Sequence, residues 1–114
     1  MKKEKQKTIN IMGTEYKVYL IGKPHWADSD RDGVCNVDKK EIRVLLDGTY
    51  SYIKHVLHHE IVHAMFYECG LANFFSNETL VDFVALQLNK FVTATDEGTK
   101  ILDKEFEDDE QEGN

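Results

Sequence analysis

Between Ser51 and Cys69 the apolar residues fall at helical spacing. Ile53, Val56, Leu57, Ile61 and Ala64 share or border one face with Glu68, and Gly70 follows as a C-terminal cap. A helix of about five turns with one apolar face has to lay that face on another element, and this requirement shapes the rest of the chain. Upstream, Thr8 to Met12 and Glu15 to Ile21 are β-rich, and the second run alternates Tyr16, Val18 and Leu20 against Lys17 and Tyr19. With Gly13-Thr14 as a turn between them they predict a hairpin. The stretch GKPHWADSDRDGVCNVDKK, residues 22–40, holds the only proline and a crowd of aspartates, and predicts an irregular connection over most of its length. Glu41 to Asp47 predicts a third strand, ended by Asp47-Gly48. Ser76 is placed to N-cap another helix through Leu80, Phe83, Val84, Leu88 and Phe91, and a short final helix is expected within Thr99 to Phe106. The expected fold is therefore α+β: a small antiparallel or mixed sheet of about three strands, with helices covering one face.

At 114 residues the chain has room for one core. We expect a single domain over residues 1–95 and an acidic, partly disordered tail over residues 96–114. That tail holds nine acids against Lys100 and Lys104, so it alone carries the formal charge of −7 and the remaining residues are neutral. A neutral body offers no broad attraction to phosphates, which disfavours nucleic acid as a partner. No run approaches the ~20 apolar residues of a membrane helix, and the basic start MKKEKQK is not followed by the apolar stretch of a signal peptide. A soluble, cytoplasmic protein is the expectation. Cys35 and Cys69 have no CxxC spacing and read as reduced thiols, a single bridge being the lesser alternative.

The long helix contains His59-Glu60-Ile61-Val62-His63, an HExxH sequence. Residues four apart lie on one helical face, so both imidazoles can converge on one ion while Glu60 sits beside the remaining coordination position. A zinc ion so held lowers the pKa of its water towards ~7, and an adjacent carboxylate takes the proton as the water attacks a polarised carbonyl. That chemistry is peptide or amide hydrolysis. With 5 His and 11 Glu among 114 residues, shuffling gives the pattern with an expectation of about 0.02, so surface histidines on an amphipathic helix are the weaker reading.

A catalytic zinc takes three protein ligands and keeps a fourth position open. Glu78 lies fifteen residues beyond His63, at the start of the next helix, and an αα-hairpin turning at Gly70 could return it to the histidines. Asp82, one turn later on the same face, could accept the outward N–H of a ligating histidine and fix its tautomer. The blander reading is that Glu78 favours the positive end of its helix and Asp82 is solvated.

HExxH followed on the next helix by Asn77-Glu78-Thr79-Leu80-Val81-Asp82 resembles the thermolysin-type gluzincin metallopeptidases. The small size and the strands-then-HExxH order make the chain most similar to the minigluzincins, which include phage-encoded and ImmA/IrrE-type zinc peptidases. The resemblance covers roughly residues 8 to 92. It implies a minimal zincin fold, one zinc on His59, His63 and Glu78, Glu60 as general base, Asp82 behind a histidine, and a protein or peptide substrate held along a sheet edge by β-augmentation. The chain departs from thermolysin in two ways: only 14 residues separate His63 from Glu78, and no distal domain supplies the histidine and tyrosine that polarise the carbonyl there. A catalytically inactive module that keeps zinc for stability is the alternative function.

Tyr50, Tyr52, His55, Tyr67 and His25 are the candidates for such a helper. Tyr52 and His55 fall on the side of His59 and His63 and border the expected cleft, more as walls than as catalytic acids. His55 is about 12 Å along the axis from His63, too far to share its ion; His58 points some 100° away and reads as a partly exposed histidine. Asp28, Asp30, Asp32 and Gly33 match the first half of a calcium loop, but the closing position is Lys39 in place of a bidentate Glu, so the stretch reads as an acidic turn. A calcium-responsive acidic module is accordingly the least favoured reading. Trp26, Phe74 and Phe75 suit either an apolar cleft rim or packing, and Cys69 reads as a small buried residue.

Overall fold

The computed structural model describes residues 4–112; the first three residues of the basic start and the last two of the acidic tail lie outside them. The order of elements is β1 (Glu4–Ile11), β2 (Thr14–Gly22), a 3-10 turn at Lys23–His25, β3 (Gly33–Asn36), β4 (Glu41–Leu46), α1 (Tyr50–Glu68), α2 (Ala72–Phe75) and α3 (Glu78–Glu112). This is an α+β architecture. Its sheet has four strands among the described residues, one more than the sequence leads one to expect, in the order β1-β2-β4-β3. β1 and β2 form the expected hairpin, β3 and β4 a second one, and β2 runs parallel to β4, so the sheet is mixed. The additional strand lies inside the expected connection. Its four residues, Gly-Val-Cys-Asn, are too few and too mixed to show a strand period.

The turn chemistry is local. Met12 (φ 50°) and Gly13 (φ 90°) are both left-handed, the pattern of a type I′ hairpin turn, one residue earlier than the Gly13-Thr14 turn expected. Thr49 caps α1 by accepting a hydrogen bond from the Tyr52 amide at 3.2 Å. At the other end Gly70 (φ 76°) permits a Schellman closure: its amide donates to the Tyr67 carbonyl at 3.1 Å and the Leu71 amide to that of Phe66 at 2.7 Å. Asn77 rather than Ser76 caps α3, its Oδ1 accepting from the Leu80 amide at 3.0 Å. α3 then continues unbroken to Glu112, merging the second helix, the short one expected within Thr99 to Phe106 and most of the acidic tail.

Two apolar clusters meet on α1. Towards the sheet, Tyr16, Val18, Ile42, Val44 and Ala64 are buried with Ile53, Val56, Leu57 and Ile61 packed against them. On the other side Val62 packs with Val81 and Ala85. α3 therefore stacks on α1 and does not itself cover the sheet, contrary to the expectation that both helices lie on one face. Among the described residues no helix is long and apolar enough to cross a membrane.

Glu68, on the last turn of α1, ties the helix to the sheet. Its carboxylate accepts from the Thr14 hydroxyl (2.9 Å), the Tyr16 hydroxyl (2.6 Å) and Lys40 Nζ (2.8 Å). The bond from Lys40, then that from Tyr16, hold its carboxyl down to about 2 from an ordinary 4.5. A depressed native pKa contributes stability that is fully present above pH 4.5 and is lost as pH falls towards 2. We expect Glu68→Gln to cost on the order of 1 kcal/mol in urea unfolding at pH 7 and clearly less as pH falls to 2. An equal cost at both values would contradict the ionic origin of the clamp.

Candidate metal centre

α1 and α3 are antiparallel where they touch, because Glu78 lies beside His63 and Asp82, one turn on, beside His55. The dry contact of Val62 with Val81 and Ala85 fixes their relative phase. It turns the first two turns of α3 towards the HExxH face. There His59, His63 and Glu78 each offer a ligand atom, all within 4.8 Å of one another. His59 Nε2 lies 2.8 Å from Glu78 Oε2, His63 Nε2 3.1 Å from Glu78 Oε1, and the two Nε2 atoms 3.2 Å apart. His63 is buried, His59 half-buried and Glu78 open to solvent. Among the described residues this is the one such group of three or more potential ligands, and His55 is not in it.

Behind the cluster, Asp82 Oδ1 lies 3.2 Å from His59 Nδ1 and 2.7 Å from His55 Nε2. Burial on its own would raise the Asp82 carboxyl, but the bonds from His55 and His59 hold it below the carboxylate range. An ionised Asp82 can only accept, so the His59 proton belongs on Nδ1. In that neutral tautomer His59 Nε2 turns its lone pair towards Glu78 Oε2. Burial also lowers the pKa of His63, against the pull of Glu78, and so favours its neutral, ligating form. Two imidazole nitrogens and a carboxylate gathered in this way form a donor set that could hold a metal ion, and three such donors are of the kind zinc takes.

Glu60 is buried on the adjacent face of α1. Burial pushes its carboxyl up to about 7, with His59 and Arg31 pulling it down and Glu78 pushing further up. β3 passes so close that a Cβ on Gly33 would stand 2.8 Å from Glu60 Oε2 and 2.7 Å from Val56 Cγ1, so no larger residue fits there without displacement. A cleft of about 350 Å³ opens between this strand and the helices, lined by Arg31, Gly33, Cys35, Glu60, His63 and Phe75 among others. On the far side of Glu60 a second hollow of about 340 Å³ is bounded by Asp32, Tyr52, His55, His59 and Asp82. Tyr52 and His55, expected to border the cleft, line this second hollow and not the cleft beside His63. Both are engaged, the Tyr52 hydroxyl with Asp32 and His55 with Asp82.

Phe75 lies against His63 at 4.8 Å between ring centroids, while Phe74 packs on Phe66 at 6.1 Å, so the pair divides between cleft and packing. Trp26 donates from Nε1 to the Arg31 carbonyl at 2.8 Å, clasping the loop that carries Arg31 and Asp32. The Asp30 amide bonds to Asp28 Oδ1 at 3.0 Å, an Asx turn within the acidic run. Both cysteines are free thiols. Burial pushes Cys35 up to about 12, and Cys69 is exposed where a buried residue is expected. Arg31, Gly33 and β3 are the site features that the sequence does not announce; the one trace is a glycine directly after the aspartates and before Val34.

Compared with known proteins, the chain matches no family model, no curated protein and no solved structure.

We expect elemental analysis to find close to one zinc per chain after loading and dialysis, with little in His63→Ala or Glu78→Ala. Asp82→Asn should retain the site with about 10- to 100-fold weaker affinity. Wild-type zinc content in both ligand variants would remove His63 and Glu78 from metal binding.

Proposed function

We propose that the chain is a zinc-dependent metallopeptidase of the minigluzincin kind, acting on protein or peptide substrates in the cytoplasm. The observation that carries the reading is the convergence of His59, His63 and Glu78 beside a buried Glu60 and an open cleft. In this reading the zincin-type arrangement consists of α1 and the start of α3 as the metal-bearing helices and β3 as the substrate-side edge strand. Zinc held by the three residues supplies a Lewis acid that acidifies water and polarises a carbonyl.

The protein's own groups do the rest. Glu60, one residue from His59 and packed under Gly33, takes a proton from the attacking water and returns it to the departing amine. Its burial makes it a stronger base than a solvated glutamate. β3 pairs only with β4 among the described strands, so its outer edge is free to take an extended peptide by main-chain hydrogen bonds across the cleft. Asp82 holds the His59 ring in the orientation that keeps Nε2 inward.

A second reading, a zinc-stabilised binding module without turnover, has one specific support: Tyr52 and His55, the nearest candidates to polarise a carbonyl, are tied to Asp32 and Asp82. Glu60→Gln separates the two. Zinc-loaded wild type incubated with unfolded proteins should yield fragments, seen by mass spectrometry, and Glu60→Gln should bind as much zinc and yield at least a hundredfold less. Turnover retained in Glu60→Gln would contradict its role, and no turnover in either would favour the binding module.

A further inference from the structure

Two surfaces remote from the cleft are both apolar and of opposite charge. One is a groove of about 680 Å³ between the edge strand β1 and α1, floored by Ile9 and Leu20, walled by Leu57 and Ile61, with Lys5 and Lys7 along its β1 side. The other is the outer half of α3. At 100° per residue Leu88, Val92, Leu102 and Phe106 fall within about 60° of Val81, with Thr95 and Thr99 between them and Asp103 at the border, continuing the stripe that Val81 and Ala85 bury against α1. α1 begins at Tyr50, and α3 runs antiparallel past that end, so the continuation has no α1 to lie on. Val92, Leu102 and Phe106 are 46%, 55% and 60% exposed.

A helix of this length in water is not held by propensity alone, least of all with Gly98, Thr95, Thr99 and Ile101 in it. Its apolar stripe calls for a cover. The chain's own groove cannot supply it while α3 is one helix, because Val62 faces α3 from one side of α1 whereas Leu57 and Ile61 face the sheet from the other. Pairing two such extensions with each other would set two segments of charge −7 side by side. The groove, by contrast, offers Lys5 and Lys7 to Asp103, Glu105 and Glu107.

We propose that two copies of this chain exchange their α3 extensions, each seating its Val92, Leu102 and Phe106 stripe in the other's groove with its acids along Lys5 and Lys7. Groove and stripe sit on the same chain, so each copy can both give and receive an extension, and the reciprocal form proposed here closes as a twofold dimer, unlike the open head-to-tail chain. It uses no residue of the metal centre.

Sedimentation equilibrium of the full chain tests this directly. The wild type should have twice the 13.2 kDa of one chain at micromolar concentration, and Leu102→Glu/Phe106→Glu, both at exposed positions, should have the mass of one. Lys5→Glu/Lys7→Glu should weaken association about tenfold at low salt, and added salt should weaken the wild type. A wild type of single-chain mass throughout, or a mass above two chains, would overturn the exchange. So would a dimer that survives Leu102→Glu/Phe106→Glu. A dimer broken by those changes yet indifferent to Lys5→Glu/Lys7→Glu would mean pairing between extensions, and would overturn it equally.

Discussion

Val62 packs against Val81 and Ala85 with all three closed to solvent, and the site depends on this contact. Three residues before Val81 is Glu78 and one after it is Asp82, so the phase that buries Val81 also carries both carboxylates to the HExxH face. A rotation of α3 by one residue, about 100°, would keep an apolar neighbour available and lose both. Packing fixes the geometry, and the polar groups follow from it. This ordering is physically sensible, since burying three aliphatic side chains contributes several kcal/mol, whereas gathering two imidazoles and a carboxylate without a cation contributes little.

The opposite side of α1 meets the sheet under a different constraint. Glu60 is buried among groups that do not neutralise it, and Gly33 allows β3 to come against it without a side chain between. A carboxyl raised to about 7 in this place is costly to stability when ionised, and the proposed role of Glu60 as a base rests on that environment. Glu68, two turns further on, shows the converse: three donors surround it and its carboxyl is held low. One helix thus holds one glutamate made basic by burial and another kept ionised by its partners.

How much of this was legible in the sequence follows from what has a period and what does not. α1, its glycine closure and the HExxH face are written at helical spacing, and the inward alternation of Tyr16, Val18 and Leu20 is written at a spacing of two. Glu78 and Asp82 could be picked out because one helical turn separates them. β3 could not, because four residues after a run of aspartates carry no pattern, and its absence from the expected sheet also hid the parallel pairing of β2 with β4. The close pass at Gly33 depends on a missing side chain, whose one trace in the sequence is the glycine itself. Thr14, Tyr16, Lys40 and Glu68 come from three distant parts of the chain and meet only in the fold. The continuation of α3 was obscured by Gly98 and by the acids beyond it, both of which ordinarily argue for an end.

The proposed activity requires that one ion be held by His59, His63 and Glu78 and not by the acidic tail or a thiol. X-ray absorption fine structure at the zinc edge, on the full chain loaded with a single equivalent, addresses the ligands themselves. The expected spectrum has two imidazoles and oxygen donors at about 2.0 to 2.2 Å with the multiple-scattering signature of the rings. Sulfur at about 2.3 Å, or a shell of oxygens without imidazole, would contradict it.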